Sequence, residues 1–291
     1  MSKPIPHIAA IDTMVNMMTP EALKTQPDDR REFFVDKIGV DTETYRGITI
    51  DEMLQRMDSA GVERGFLIAS RAGAAHVSHS HHVPYELVVD AVKQHPDRFS
   101  GIAGIDPTMG RKGVVELQRA IEDQGFVGAH FYPHWFELPP DHARWYPFYA
   151  KCVELDVPVQ MQVGQSMIYS PNYRLRSVGQ PITLDAVACD FPELKLIGSH
   201  VGIPWTGEMI AMAWKHANVF IMSDAHGPKY WPKEFVHYIT TYGQDKVMFA
   251  SGFPVLGFER TLQDIADLNL RPEPLRKFLR GNAERLYRIG H

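Results

Sequence analysis

Leu194-Lys195-Leu196-Ile197-Gly198-Ser199 and Val219-Phe220-Ile221-Met222-Ser223 are two short apolar runs separated by a helix-period stretch that starts near Thr206. Strands joined by a helix in this way lie parallel, because a hairpin turn is too short to return the chain. Working outward from this unit, the same alternation recurs along the chain. Strand-like runs lie at Ile8 to Asp12, Arg64 to Ser70, Phe99 to Ile105, Phe126 to Tyr132, Val157 to Val163 and Val247 to Ser251. Helical candidates start near Ile50, Pro84, Gly113, Arg144, Thr183, Pro232 and Glu259, several with Thr or Pro where a helix start favours them. Eight strand-helix units predict a parallel sheet closed on itself, an α/β fold of the (β/α)8 TIM-barrel class, with residues 1–291 as a single domain.

Two departures from regularity are visible. Thr13 to Thr49, about 35 residues, separates the first strand from the first barrel helix, far more than the usual βα loop, so it is expected to fold over the barrel mouth with a short helix or a lid. Pro272 to Tyr287 reads as an extra amphipathic helix with Leu275, Phe278, Leu279 and Leu286 on its apolar side.

Composition narrows the function. With 44% hydrophobic and 22% charged residues in 291, the chain can bury a full core, and no apolar stretch is long enough for a membrane span. A net charge of -5 without a basic block argues against a nucleic-acid partner. Cys152 and Cys189 are too few for a disulfide framework, and Met1 to Ile11 lacks the basic and apolar regions of a signal peptide, so a cytoplasmic location is expected.

Reactive groups of such barrels sit at the carboxyl ends of the strands. The candidate ends are Asp12-Thr13-Met14-Val15-Asn16, His130-Phe131-Tyr132-Pro133-His134, Gln160-Met161-Gln162, Ser199-His200, Ser223-Asp224-Ala225-His226 and Ser251-Gly252-Phe253-Pro254. With Ile11-Asp12, Gly128 to His134, Pro158 to Gly164, His200-Val201-Gly202-Ile203-Pro204-Trp205 and Gly281-Asn282-Ala283-Glu284-Arg285-Leu286-Tyr287, the chain resembles the amidohydrolase-related family. That group includes aminocarboxymuconate-semialdehyde decarboxylase and related ring-acid decarboxylases and hydrolases.

The resemblance implies one divalent metal, usually zinc, held by a His-x-His pair after strand one, a His after strand five, often a His after strand six, and an Asp after strand eight. Such a set leaves an open position for water, whose pKa falls towards neutrality. Here the His-x-His positions fall on Met14 and Asn16, the strand-five position on Gln162 and the strand-eight position on Gly252; only His200 matches. A thioether, two neutral amides and a glycine are poor substitutes for imidazoles and a carboxylate, so no metal is expected at this position.

The remaining candidates are His130, His134, His200, Asp224 and His226. His200 reads either as an acid/base group or as a pocket histidine left without partners. His130, His134, His200 and His226 could rebuild a displaced imidazole metal site, and Asp224 could replace the missing base or cap a loop or bind an arginine. The run His76, His79, His81 and His82 reads as a polar loop rather than as a surface metal site. Met14, Met17 and Met18 are expected at the pocket mouth.

Three functions follow. The first and preferred is a non-catalytic subunit in a hetero-oligomer with a metal-bearing relative (zinc, iron or manganese) that acts on a small carboxylic or amino acid; a homodimer is the other assembly. The second is a metal-independent hydrolase or decarboxylase using His200 and Asp224. The third is a hydrolase or oxygenase with an atypical His metal site. Trp135 to Tyr149 and Tyr230-Trp231 are the expected interface anchors, as aromatics often are.

Overall fold

A computed structural model describes residues 8–168 and 173–289. The signal-peptide reading of Met1 to Ile11 thus falls mostly outside the described residues. Eight parallel strands follow one another round the sheet in sequence order: β1 Ala10–Asn16, β2 Val62–Ala69, β3 Phe99–Gly104, β4 Phe126–Phe131, β5 Val159–Met161, β6 Leu196–Gly198, β7 Val219–Met222 and β8 Val247–Met248. Backbone bonds from Thr13 N to Phe249 O (3.1 Å), Gly252 N to Met14 O (3.0 Å) and Asn16 N to Phe253 O (2.9 Å) close the ring between its first and last strands. The expected TIM barrel is therefore present. No helix among the described residues is long and apolar enough to cross a membrane.

Local chemistry explains where the helices begin and end. Thr49 and Glu52 form a reciprocal capping box at the start of the helix Ile50–Ala60, which stops at Gly61 in the left-handed region. Inside the barrel, Phe66, Ile68, Ile102, Ile197, Met222 and Met248 pack together. Each such side chain contributes about 1.5–3 kcal/mol on burial.

Pro272 to Tyr287 is helical throughout, with a π-helical turn at Lys277–Gly281. Phe278, Leu279 and Leu286 are buried and Leu275 is partly so, as its periodicity predicts. Its last turn reaches into the barrel, where Tyr287 meets Phe66 edge-on at 4.7 Å. The Tyr287 hydroxyl accepts a hydrogen bond from Gln160 Nε2 at 2.8 Å. Tyr287→Phe removes this bond and should cost about 1 kcal/mol, or roughly 2–4 °C in Tm. An unchanged melting curve would show that the bond contributes nothing.

Strand one differs from its expected limits. It runs to Asn16 rather than Asp12, with the register slipping between Asp12 and Val15, so Met14 and Asn16 belong to the strand and not to the loop after it. The excursion that follows carries the short helix Pro20–Leu23, the π-helical turn Glu32–Lys37 and the helix Thr42–Arg46. It meets a small hairpin, Arg71–Ala72 against His81–His82, through Thr25 Oγ1, which donates to His82 O at 2.8 Å. Together they roof the barrel mouth.

Candidate active site

Beneath that roof lies a cavity of about 170 Å³. A cavity of roughly 150 Å³ holds a single-ring molecule, so this one has the size for a small substrate. Its walls are largely thioether and aromatic: Met14, Met17 and Met18, as expected, with Phe33, Tyr45 and Trp135. His134, Gln162, His200, Asp224, His226 and Gly252 also line it, which brings together strand ends four to eight.

His130 does not line the cavity. It points into the barrel from β4 two residues before Tyr132, whose ring covers it at 4.5 Å, so the strand's period of two places it one layer deeper. There its Nδ1 lies 2.8 Å from Gln160 Oε1. Gln160 Nε2 already donates to Thr13 O and Tyr287 Oη, so Oε1 must accept and His130 Nδ1 must carry the hydrogen. Burial lowers its pKa to about 3, and the buried Nε2 lone pair has no partner. His134 is the opposite tautomer. Its Nδ1 accepts from Val178 N at 3.2 Å, leaving an unpartnered Nε2-H donor, against which only a glycine fits at position 179.

Asp224 and His200 form the centre of the site. Asp224 Oδ1 accepts the His200 backbone N-H at 2.9 Å, and Oδ2 lies 3.2 Å from His200 Nε2. The latter approach is too oblique for a hydrogen bond, and Oδ2 has no other partner. Burial disfavours both charged forms, pushing Asp224 up to about 7 and His200 down to about 4, so at neutral pH the imidazole is uncharged and the carboxyl is about half protonated. Of the alternatives for Asp224, an arginine partner is not seen among the described residues. His200, Val201 and Ala225 all have positive φ, a costly conformation for non-glycine residues, above all for the β-branched Val201. Close by, Asp12 Oδ1 accepts from Met14 N and Ser251 N, while Oδ2 is unpartnered and burial raises its pKa to about 7.

Arg30, from the excursion, is a site residue that sequence reading missed. Asp28-Asp29-Arg30-Arg31 looks like a solvated charge run, yet Arg30 is buried against the cavity with its guanidinium 3.8 Å above the Trp135 ring. Its Nη2 donates to His79 O, and the neighbouring Asp29 carboxylate favours its charge. Burial lowers its pKa to about 10, so it remains a cation at neutral pH.

The remaining histidines of the 76–82 run spread apart rather than converge. His81 lines the cavity beside Thr25, His82 Nε2 binds Gly73 O, and His79 stacks on Tyr173. The expected aromatic anchors also need correction. Trp135, Trp145, Tyr149 and Trp231 are buried within the chain, because they pack the barrel's own rim and helices; Tyr230 is exposed.

The metal implied by the resemblance does not fit this donor set. Met14 offers a thioether, and Asn16, whose Nδ2 donates to Phe253 O at 2.8 Å, and Gln162 offer only neutral amide oxygens. Gly252 has φ +68°, and a Cβ there would lie 3.2 Å from Ala225 N, so a ligating side chain would meet both backbone strain and a tight contact. Nor do the mouth histidines converge as a displaced imidazole site requires. Among the described residues, the group of three His, Cys or carboxylate ligands whose atoms all lie within 4.8 Å of one another is Asp185, Cys189 and His216, away from the mouth.

Comparison with known proteins places these features. The chain is 29% identical over 200 residues to a 2-keto-4-carboxy-3-hexenedioate hydratase of a Sphingobium species, a match covering 57% of this chain and 58% of the hydratase, less than two thirds of that relative's length. Its structure superposes on a TIM-barrel protein of Bordetella bronchiseptica with a TM-score of 0.78 at 23% identity, covering 95% of this chain and 97% of that one. It also superposes on the 5-carboxyvanillate decarboxylase of Novosphingobium aromaticivorans, solved with manganese, with a TM-score of 0.75 at 15% identity, covering 99% and 98% of the two chains. The amidohydrolase family model matches residues 43–289, which takes in seven of the eight strands and the strand ends that build the site, and the chain belongs to that family.

Proposed function

We propose that this chain is an enzyme in its own right, working without a metal at the barrel mouth and moving protons between a small carboxylate substrate and the Asp224–His200 pair. The observation that carries the reading is a roofed cavity with an unpartnered carboxyl oxygen facing an imidazole nitrogen at 3.2 Å on its wall and a buried arginine, stacked on Trp135, beneath its roof. Burying ionisable groups without partners costs several kcal/mol, a cost that a barrel kept only for its shape has no reason to carry. Arg30 has the charge and planar donor geometry to anchor a substrate carboxylate. With a pKa near 7, Asp224 exists in both forms at neutral pH, so it can donate a proton at the reacting carbon or oxygen and take one back, with the His200 imidazole 3.2 Å away to share it once the contact tightens on substrate. The methionine and aromatic walls lower the local polarity, which strengthens these interactions. Hydration, hydrolysis and decarboxylation all use such a step, and the hydratase and decarboxylase relatives make these the reaction classes to test.

The test is turnover by chelator-treated protein on a panel of hydroxybenzoates, unsaturated keto acids and their lactones. Activity should survive chelation, fall by roughly 100-fold or more in Asp224→Asn and His200→Ala, and show a raised KM in Arg30→Met. Activity restored only by added metal would refute the reading. Activity seen only on co-expression with a metal-bearing relative, and indifferent to His200→Ala, would support the non-catalytic subunit instead.

A further inference from the structure

Outside the barrel, one side-chain cluster has no part in the reading above. Asp185 and Cys189 stand one helical turn apart on Leu184–Asp190, and His216 follows directly on the helix Thr206–Lys215. Spacing of i and i+4 puts the carboxylate and the thiol on the same face of their helix. His216 Nε2 lies 2.6 Å from Asp185 Oδ1, and one donor atom from each of the three residues falls within 4.8 Å of the other two. The geometry points to a second metal site, in which Asp185, Cys189 and His216 hold one divalent cation of the zinc class, with water as the fourth ligand.

The donors suit that class of ion. Thiolate, imidazole and carboxylate are the side chains zinc takes in tetrahedral sites, and a mixed set with sulfur disfavours magnesium and calcium. The frame is already assembled. His216 is anchored by its backbone N-H to Met212 O and by its carbonyl, which accepts from Lys246 Nζ at 2.9 Å, and its side chain is only 10% exposed. Cys189 is a free, exposed thiol that solvent and ions can reach. On binding, the thiol releases its proton to solvent and the imidazole presents Nε2 by carrying its hydrogen on Nδ1. Two contacts compete with the metal: Lys215, whose Nζ lies 2.5 Å from Asp185 Oδ1, and the hydrogen bond that His216 Nε2 donates to the same oxygen, which the ion must replace. Lys215 and Asp185 already stabilise each other's charge, so the metal must displace the ammonium or share the carboxylate with it. The ion would tie the two outer helices together and stabilise the folded chain in proportion to its occupancy.

Cobalt(II) titration of the full chain, followed by zinc competition, tests this. A thiolate-to-cobalt charge-transfer band can come only from Cys189, because the sole other cysteine, Cys152, is fully buried in the core. One equivalent of cobalt should raise the band, and zinc should displace it. Cys189→Ser should abolish it, and His216→Ala and Asp185→Asn should each weaken cobalt binding by about 10-fold or more, with thermal melts confirming the fold. Lys215→Gln should tighten binding several-fold by removing the competing ammonium, an effect that a merely structural ion pair would not produce. No band in the unmodified protein, a band whose titration is unchanged in both His216→Ala and Asp185→Asn, or one metal per two chains would each overturn the proposal.

Discussion

Taken from pH 7 to pH 5, the protein should lose several kcal/mol of stability and about 10 °C in Tm. Five histidines carry this loss: His130, lowered to about 3, and His81, His134, His200 and His226, lowered to about 4, each chiefly by burial. Their folded-state pKa values lie below the ordinary 6.5, so the stability they confer is complete above 6.5 and lost as pH falls towards 4. Over that range the unfolded chain binds protons that the folded chain refuses. At about 1.4 kcal/mol per unit, each histidine forfeits roughly 2 kcal/mol by pH 5. Asp12 and Asp224 act in the opposite sense. Both are raised from 3.8 to about 7, so their contribution is complete below 3.8 and lost as pH rises to 7, and acidification restores part of it. Two carboxyls offset roughly half of what five histidines lose, which leaves a net fall of about 3–5 kcal/mol once partial exposure of the rings is allowed for. Melting curves between pH 5 and pH 7.5 measure this. Asp224→Asn should steepen the fall by removing one opposing group. A Tm that climbs on acidification would mean that these rings are already charged in the folded state and that the neutral-site electrostatics are wrong.

Trp231→Glu should unfold the chain rather than separate subunits. As an exposed interface anchor, Trp231 would tolerate the change in the free protein. It is instead buried, with Nε1 donating to His226 O at 2.8 Å and its ring edge-on to Phe235 and Phe278 at 5.2 and 6.0 Å. Truncating a buried tryptophan costs about 3–5 kcal/mol, and a buried carboxylate adds to that, so a fall in Tm of about 10 °C or more, or loss of soluble protein, is expected. His226 lines the cavity, so the same change should loosen the strand-seven loop that carries Asp224. Trp231→Phe, which keeps most of the packing and loses the hydrogen bond, should retain the fold with a smaller drop. A Trp231→Glu protein that melts like the parent but sediments as a smaller species would restore the interface role.

The barrel was legible in the sequence because its signal is local and repeated. Each apolar run, such as Leu194 to Ser199, carries its own period, and burial on both faces demands such runs wherever the strand lies in the sheet. The substitutions at Met14, Asn16, Gln162 and Gly252 were legible for a related reason: residue identity alone decides that a thioether, two amides and a glycine lack the donors for zinc. What stands in the cavity instead was decided by tertiary structure. Arg30 becomes a buried cation only because the excursion folds back over Trp135, and nothing in Asp28-Asp29-Arg30-Arg31 marks it. His130 drops out of the cavity wall because Tyr132, one residue past the end of its strand, closes over it. Asp224 comes to face His200 because two left-handed strand ends, at His200 and Ala225, bring its Oδ2 to within 3.2 Å of His200 Nε2. Periodicity determines which face of an element is buried, since that depends on neighbours along the chain. Distances between side chains from different strand ends depend on how loops of unrelated sequence pack, and that information exists only in the folded molecule.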